Sequence, residues 1–285
     1  MFPTQLMATH IGQRGSKLSP RLWSRLMEVM ITADGASPGE FVYEDFLRFL
    51  GFTNAIGGTT ALPSTTIPSV DGYAVYVDSA TTASGISRQS VKGGVARLAP
   101  GATDNHLAVM RSGALGQISD TVADAKLTIF EARIALPTQL THGSTFVGLA
   151  QSTVCADGGL VVDTGELLAT AGCIGFRTLD ADPDGIDIVY QKGSQTVQVV
   201  KDVAHTAVAG EFVNLGFIYD PYAPPSKRIR FFVNNEELAE KVTADNIAAA
   251  TFPDAVMMDF VAAAKTDATT SRPLDIDCWA FYQAG

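Results

Sequence analysis

FVNLGFIYDP (212–221) followed by RIRFFVNNEE (228–237) is the stretch whose reading decides the fold. Both segments read with period two, the spacing that sends successive side chains to opposite faces of a strand. Between them, Asp220-Pro221 and Pro224-Pro225 signal a turn. The same alternation recurs on either side and predicts strands over 73–77, 127–136, 146–150, 174–179, 186–190, 196–200, 256–262 and 276–282. Further candidates lie at 95–98 and 107–110. Asp184-Gly185, Lys192-Gly193 and Asn234-Asn235 punctuate them. The one helical candidate in this region is a turn near 245–250. So many short strands with so little helical period predict a sandwich rather than alternating strands and helices. No repeat of fixed period appears, which argues against a propeller or a solenoid.

Ahead of residue 70 the pattern differs. Ser19-Pro20 offers an N-cap and a first-turn proline before Leu22, Trp23, Leu26, Met27, Val29 and Met30, which fall on one helical stripe. Ser37-Pro38-Gly39-Glu40 reads as a capping box, and Phe41, Val42, Phe46, Leu47, Phe49 and Leu50 follow at helical spacing up to Gly51. Two amphipathic helices are therefore predicted. Their apolar faces need a surface, either the β-domain itself or another subunit. Residues 53–69 are uncharged and rich in Thr, Gly and Pro, a linker or extended strap. The predicted organisation is a helical arm at 1–52, a strap at 53–69 and an all-β sandwich at 70–285.

Of the 285 residues, 46% are hydrophobic and 18% charged, enough apolar material for a packed core and too much for a disordered chain. The formal net charge is −10, which argues against a general nucleic-acid binder because that role needs a basic face. Within residues 1–52, five cations (Arg14, Lys17, Arg21, Arg25, Arg48) cancel five acids (Glu28, Asp34, Glu40, Glu44, Asp45), so the whole negative excess lies in the body. An arm basic at its start suits an acidic partner, or it is simply a solvated tail. Cys155, Cys173 and Cys278 include no CxxC pair and are odd in number, so buried free thiols are expected rather than a disulfide framework. The first residues lack the basic and apolar regions of a signal peptide, and no run of about 18 apolar residues suggests a membrane helix. A cytoplasmic setting, or assembly there into something larger, is the expectation.

TIFEARIALP (128–137), STFVGLAQ (144–151), IGFR (174–177), IDIVYQKG (186–193), FVNLGFIYDP, RIRFFVNNEE and the final LDIDCWAFYQ (274–283) together resemble the concanavalin A-like, laminin-G-like jelly roll. The likeness covers residues 70–285 and leaves the arm outside. It implies an all-β, two-sheet antiparallel jelly-roll sandwich preceded by a short helical arm. It looks especially like the versions found in structural and decoration proteins of tailed-bacteriophage virions. A virion protein is accordingly expected: a capsid decoration (cement) or fibre-type subunit assembled in the host cytoplasm and placed on the virion. It would dock on a major capsid or other virion protein through Leu22, Trp23, Leu26, Met30, Phe41, Phe46 and Phe49. A homo-oligomer is expected, with neither nucleic acid nor membrane as partner. The alternative is a carbohydrate-binding, lectin-like module with a glycan partner, and behind it a glycoside hydrolase.

No catalytic site is expected. Laminarinase-type members of the resembled family carry an E-x-D-x-x-E strand, which aligns nucleophile and general acid on one face. Here Glu131 stands alone in FEARIAL, whereas Asp275 and Asp277 share a predicted face near Trp279, with Asp259 on another strand. Ordinary solvent-facing alternation, as in any half-exposed strand, explains those three more simply than a hydrolase does. Asp180, Asp182 and Asp184 resemble the start of a calcium loop, with Asp157 and Asp163 as further oxygen donors, or else an acidic hairpin turn. Apart from this calcium, no cofactor is expected. His10, His106, His142 and His205 lack metal-ligand spacing, and neither GxSxG nor GxxxxGK[ST] occurs. Tyr219, Tyr222 and Trp279 could stack on a sugar or pack in a core.

Overall fold

The computed structural model describes residues 17–24, 39–46, 52–53, 73–78, 85–89, 94–121, 124–137, 143–152, 161, 167, 170–267 and 270–285. Sixteen strands run in chain order among them. They are β1 (Glu40–Glu44), β2 (Phe52–Thr53), β3 (Ala74–Asp78), β4 (Gly85–Gln89), β5 (Val95–Ala99), β6 (Leu107–Gly116), β7 (Thr128–Ala135), β8 (Gly143–Ala150), β9 (Cys173–Thr178), β10 (Gly185–Gln191), β11 (Gln198–Thr206), β12 (Phe212–Tyr219), β13 (Ile229–Val233), β14 (Glu236–Val242), β15 (Met258–Thr266) and β16 (Leu274–Gln283). A short helix, Ala244–Ala248, is closed by a capping box between Thr243 and Asn246. It matches the helical turn anticipated near 245–250.

The strands form two antiparallel sheets. Sheet A has the order β14-β13-β12-β7-β16-β5-β4-β2, with β1 added alongside β16; sheet B has the order β11-β10-β9-β8-β15-β6-β3. Alternate residues of facing strands make the core: Phe130, Ala132 and Ile134 of β7 and Leu215 and Phe217 of β12 meet Val147, Phe176, Ile188 and Phe260 of sheet B. Each large side chain so buried stabilises the fold by about 1.5–3 kcal/mol.

The second predicted helix is not formed over its described part, residues 40–46. Residues 40–44 are strand β1, antiparallel to β16 with Phe41 opposite Tyr282 and Tyr43 opposite Ala280. The reason is that β16 has an open flank there, and pairing satisfies the backbone while splitting the apolar residues between two faces. Val42 turns to the main core and Phe41 and Tyr43 to the outer face of sheet A. The first helix is seen as one helical stretch at 20–24. Because β1 and β2 both belong to sheet A, the sandwich takes strands from ahead of residue 70, the boundary the sequence suggested.

β11 ends sheet B among the described residues, and it is bent. Its pairing with β10 shifts register between Ile186 and Ile188 and again before Val189. Val203 there has φ +47°, an unfavourable conformation for a β-branched residue. Its N–H donates to Asp187 Oδ1 at 3.0 Å, which holds the bulge.

Candidate functional site

One end of the sandwich carries a cleft of about 170 Å³, lined by Asp120, Tyr219, Pro221, Tyr222, Arg228 and Ile247 among others. Its floor is tied together by hydrogen bonds. The Tyr219 hydroxyl at the end of β12 donates to Ser119 O at 2.5 Å, tying that strand to the segment after β6. Burial pushes its phenol up to about 12, with Arg228 opposing the rise, so it stays neutral. Asp220 is buried, and its Oδ1 accepts from Tyr222 N at 2.9 Å while its own N–H donates to Arg228 O at 2.9 Å. This Asx turn closes the loop and throws Tyr222 outward. The Tyr222 side chain is 87% exposed. Arg228 lines the same cleft, and its Nη1 is shielded from solvent with no hydrogen-bond partner. An exposed aromatic face beside a carboxylate acceptor and a guanidinium donor can stack on an apolar ring face and bond hydroxyls at its rim.

The other aromatics proposed for stacking are not available. Tyr219 is buried, and Trp279 lies in the core flat against Phe260.

The carboxylates considered for catalysis are each occupied. Asp275 takes both Arg97 Nε and Nη2 at 2.7 Å. Asp277 accepts from Lys17 Nζ at 2.5 Å and from Arg133 Nη1. Asp259 lies in sheet B, paired with Arg111 Nη1 at 2.6 Å. All three are buried. Their expected solvent-facing position is therefore corrected: a cation partner lets each charge leave bulk water. Asp187 faces Arg177 Nε at 3.5 Å.

Glu131 has the most elaborate environment. It points outward from the middle of β7, buried beneath residues 17–24. Its Oε1 accepts from Ser19 Oγ at 2.5 Å and Asn214 Nδ2 at 2.7 Å, and its Oε2 from Trp23 Nε1 at 2.5 Å; Ser19 N donates to both oxygens. Burial raises this carboxyl above its ordinary range, and those donors pull it part of the way back.

The docking residues named from sequence must be reassigned. Leu22, Trp23 and Phe46 are fully buried in their own chain, and Phe41 packs edge-on to Trp23 with ring centroids 5.7 Å apart. The sandwich's own outer face offers the nearest apolar surface, so these side chains cannot serve a partner in this state. Leu26, Met30 and Phe49 lie outside the described residues.

Asp180, Asp182 and Asp184 are not gathered into a group able to hold a metal ion; no such group exists among the described residues. Asp180 Oδ1 instead accepts from Gly143 N at 2.7 Å. The buried cation beside this turn is Arg272, which donates to Gly143 O at 2.7 Å, Thr178 Oγ1 at 3.3 Å and Pro183 O, with Asp180 and Asp184 supplying favourable charge. Asp157 and Asp163 lie outside the described residues. Cys173 and Cys278 are buried free thiols, and Cys155 is not among the described residues.

No family model matches the chain, and no curated protein sequence does. Solved structures do. A protein of unknown function from Shewanella oneidensis MR-1 aligns with TM-score 0.51 at 12% identity, covering 90% of this chain and 93% of that one. A Bacteroides ovatus mixed linkage glucan GH16 protein in complex with its G4G4G3G product aligns with TM-score 0.51 at 11% identity, covering 84% and 98%. Peanut lectin aligns at TM-score 0.49 and 14% identity, covering 86% and 97%. The fold is therefore all-β, two antiparallel sheets of the jelly-roll kind seen in the Bacteroides ovatus GH16 protein.

Proposed function

We propose that this chain is a carbohydrate-binding module that takes the end of a neutral glycan in the Tyr222 cleft. The observation carrying the reading is the 87% exposed Tyr222 ring on a loop fixed by Asp220, with Asp120 and Arg228 lining the same opening. Aromatic stacking plus one acceptor and one donor is the chemistry that distinguishes a sugar from a purely apolar ligand. The jelly-roll fold is also one that holds a glucan product in the Bacteroides ovatus GH16 neighbour. A virion setting, suggested by the strand order, is compatible with this role.

The test is a glycan array followed by titration of the best hit into wild-type protein and Tyr222→Ala. Binding that weakens at least about tenfold in the variant, with unchanged thermal stability, supports the reading. An array with no hits, or a hit indifferent to Tyr222, removes it.

A further inference from the structure

Residues 17–24 sit on the outer face of sheet A as an occupant sits in a groove. The walls are apolar: Leu127, Ile129, Ile218, Phe232 and Tyr282 surround Leu18, Leu22 and Trp23. Gly216 makes room, since a Cβ there would stand 2.5 Å from Leu22 Cδ2. The floor is polar. Glu131 receives the Ser19 and Trp23 donors, Asn214 Nδ2 donates to Lys17 O at 2.6 Å, and Lys17 Nζ reaches Asp277. At the rim, Arg21 N donates to Asn235 Oδ1 at 2.7 Å.

A permanent cover would be steadier over an apolar floor, because a buried carboxylate must recover a large desolvation cost through its partners. A polar floor does two other things. It recognises this segment by its donors, and it regains water when the segment leaves, which narrows the gap between the covered and uncovered states. The β7 backbone is hydrogen-bonded on both sides by β12 and β16 and draws none of its ladder from the segment. We infer that residues 17–24 are a releasable cap, an internal ligand held by Glu131, that can leave the outer face of sheet A while the sandwich stays folded.

Amide hydrogen exchange on the full chain tests this. In the wild type, the amides of Ser19 and 21–24 should exchange more than about tenfold faster than those of β7 and β16, by local opening rather than global unfolding. Glu131→Ala should accelerate the first set by at least a further about tenfold and leave the second within about threefold. Trp23→Phe, which removes only the indole N–H, gives the same pattern at smaller amplitude and serves if Glu131→Ala does not fold. Equal rates for cap and strands in the wild type, or equal acceleration of both sets in the variants, would overturn the inference and show the segment to be an integral part of the core.

Discussion

The indole of Trp279 lies flat on the ring of Phe260, centroids 4.5 Å apart and planes 4° apart. This stack joins β16 of sheet A to β15 of sheet B through the centre of the sandwich, and Trp279 Nε1 also donates to Tyr73 OH at 2.8 Å. Truncating either ring opens a cavity between the sheets. Phe260→Ala is expected to cost about 3–5 kcal/mol of unfolding free energy, measured by urea denaturation. A loss below about 1 kcal/mol would mean the two sheets are not coupled there.

Gly148 and Gly175 face each other across β8 and β9, and a Cβ on either would meet the opposing backbone at 2.4 Å. The Phe146 ring fills the space above both. Alanine at Gly148 or Gly175 should therefore lower stability by more than about 2 kcal/mol. A thermal melt on each variant reads this, and an unchanged midpoint would contradict the close approach.

Arg272 fills the turn where calcium was anticipated. Adding calcium or a chelator is expected to leave the melting temperature unchanged. Arg272→Met, which removes a guanidinium from three acceptors, should lower stability by about 2–4 kcal/mol. A calcium-dependent rise in melting temperature that disappears in Asp182→Asn would restore the metal site.

His205 is partly buried near the end of β11, opposite Ile186 of β10, and burial lowers its pKa, with Glu211 opposing. The sign follows from linkage. A lowered folded value favours the neutral ring, so its contribution is whole above the ordinary value of about 6.5 and is lost as pH falls through the folded value. Stability should decline over that acid window, and His205→Gln should flatten the decline. An identical pH profile in the variant would remove His205 as its source.

Burial holds the Cys173 thiol at about 12 and drives Cys278 upward as well. Neither forms thiolate at neutral pH, so both should resist a thiol reagent in the native protein and react once denatured. Rapid labelling at either position without denaturant would be the contrary result.

The β-sandwich was legible because its signals are local: alternation in FVNLGFIY and IDIVYQ, and turn residues between them. Ser37-Pro38-Gly39-Glu40 misled because its capping box is a local signal too, and a tertiary partner outweighed it. Gly39 has φ +77° and sits against the Gln283 backbone, a placement set by β16 more than 200 residues away. Glu131 stood out as the lone acid of its strand, but the donors that explain it, Ser19, Trp23 and Asn214, come from distant parts of the chain. The Tyr222 cleft was half visible: Asp220-Pro221 announced the turn, whereas Asp120 and Ile247 join it only once three inter-strand connections meet at one end of the sandwich.

The bulge at Val203 has an effect beyond its own strand. β11 is nine residues long and carries exposed Val199 and Val203 at the margin of sheet B. Left straight, it would offer a sticky template onto which other copies could add strand by strand into insoluble polymer. By gripping the Val203 amide, Asp187 keeps that margin crooked, a geometry that disfavours the addition of a further strand.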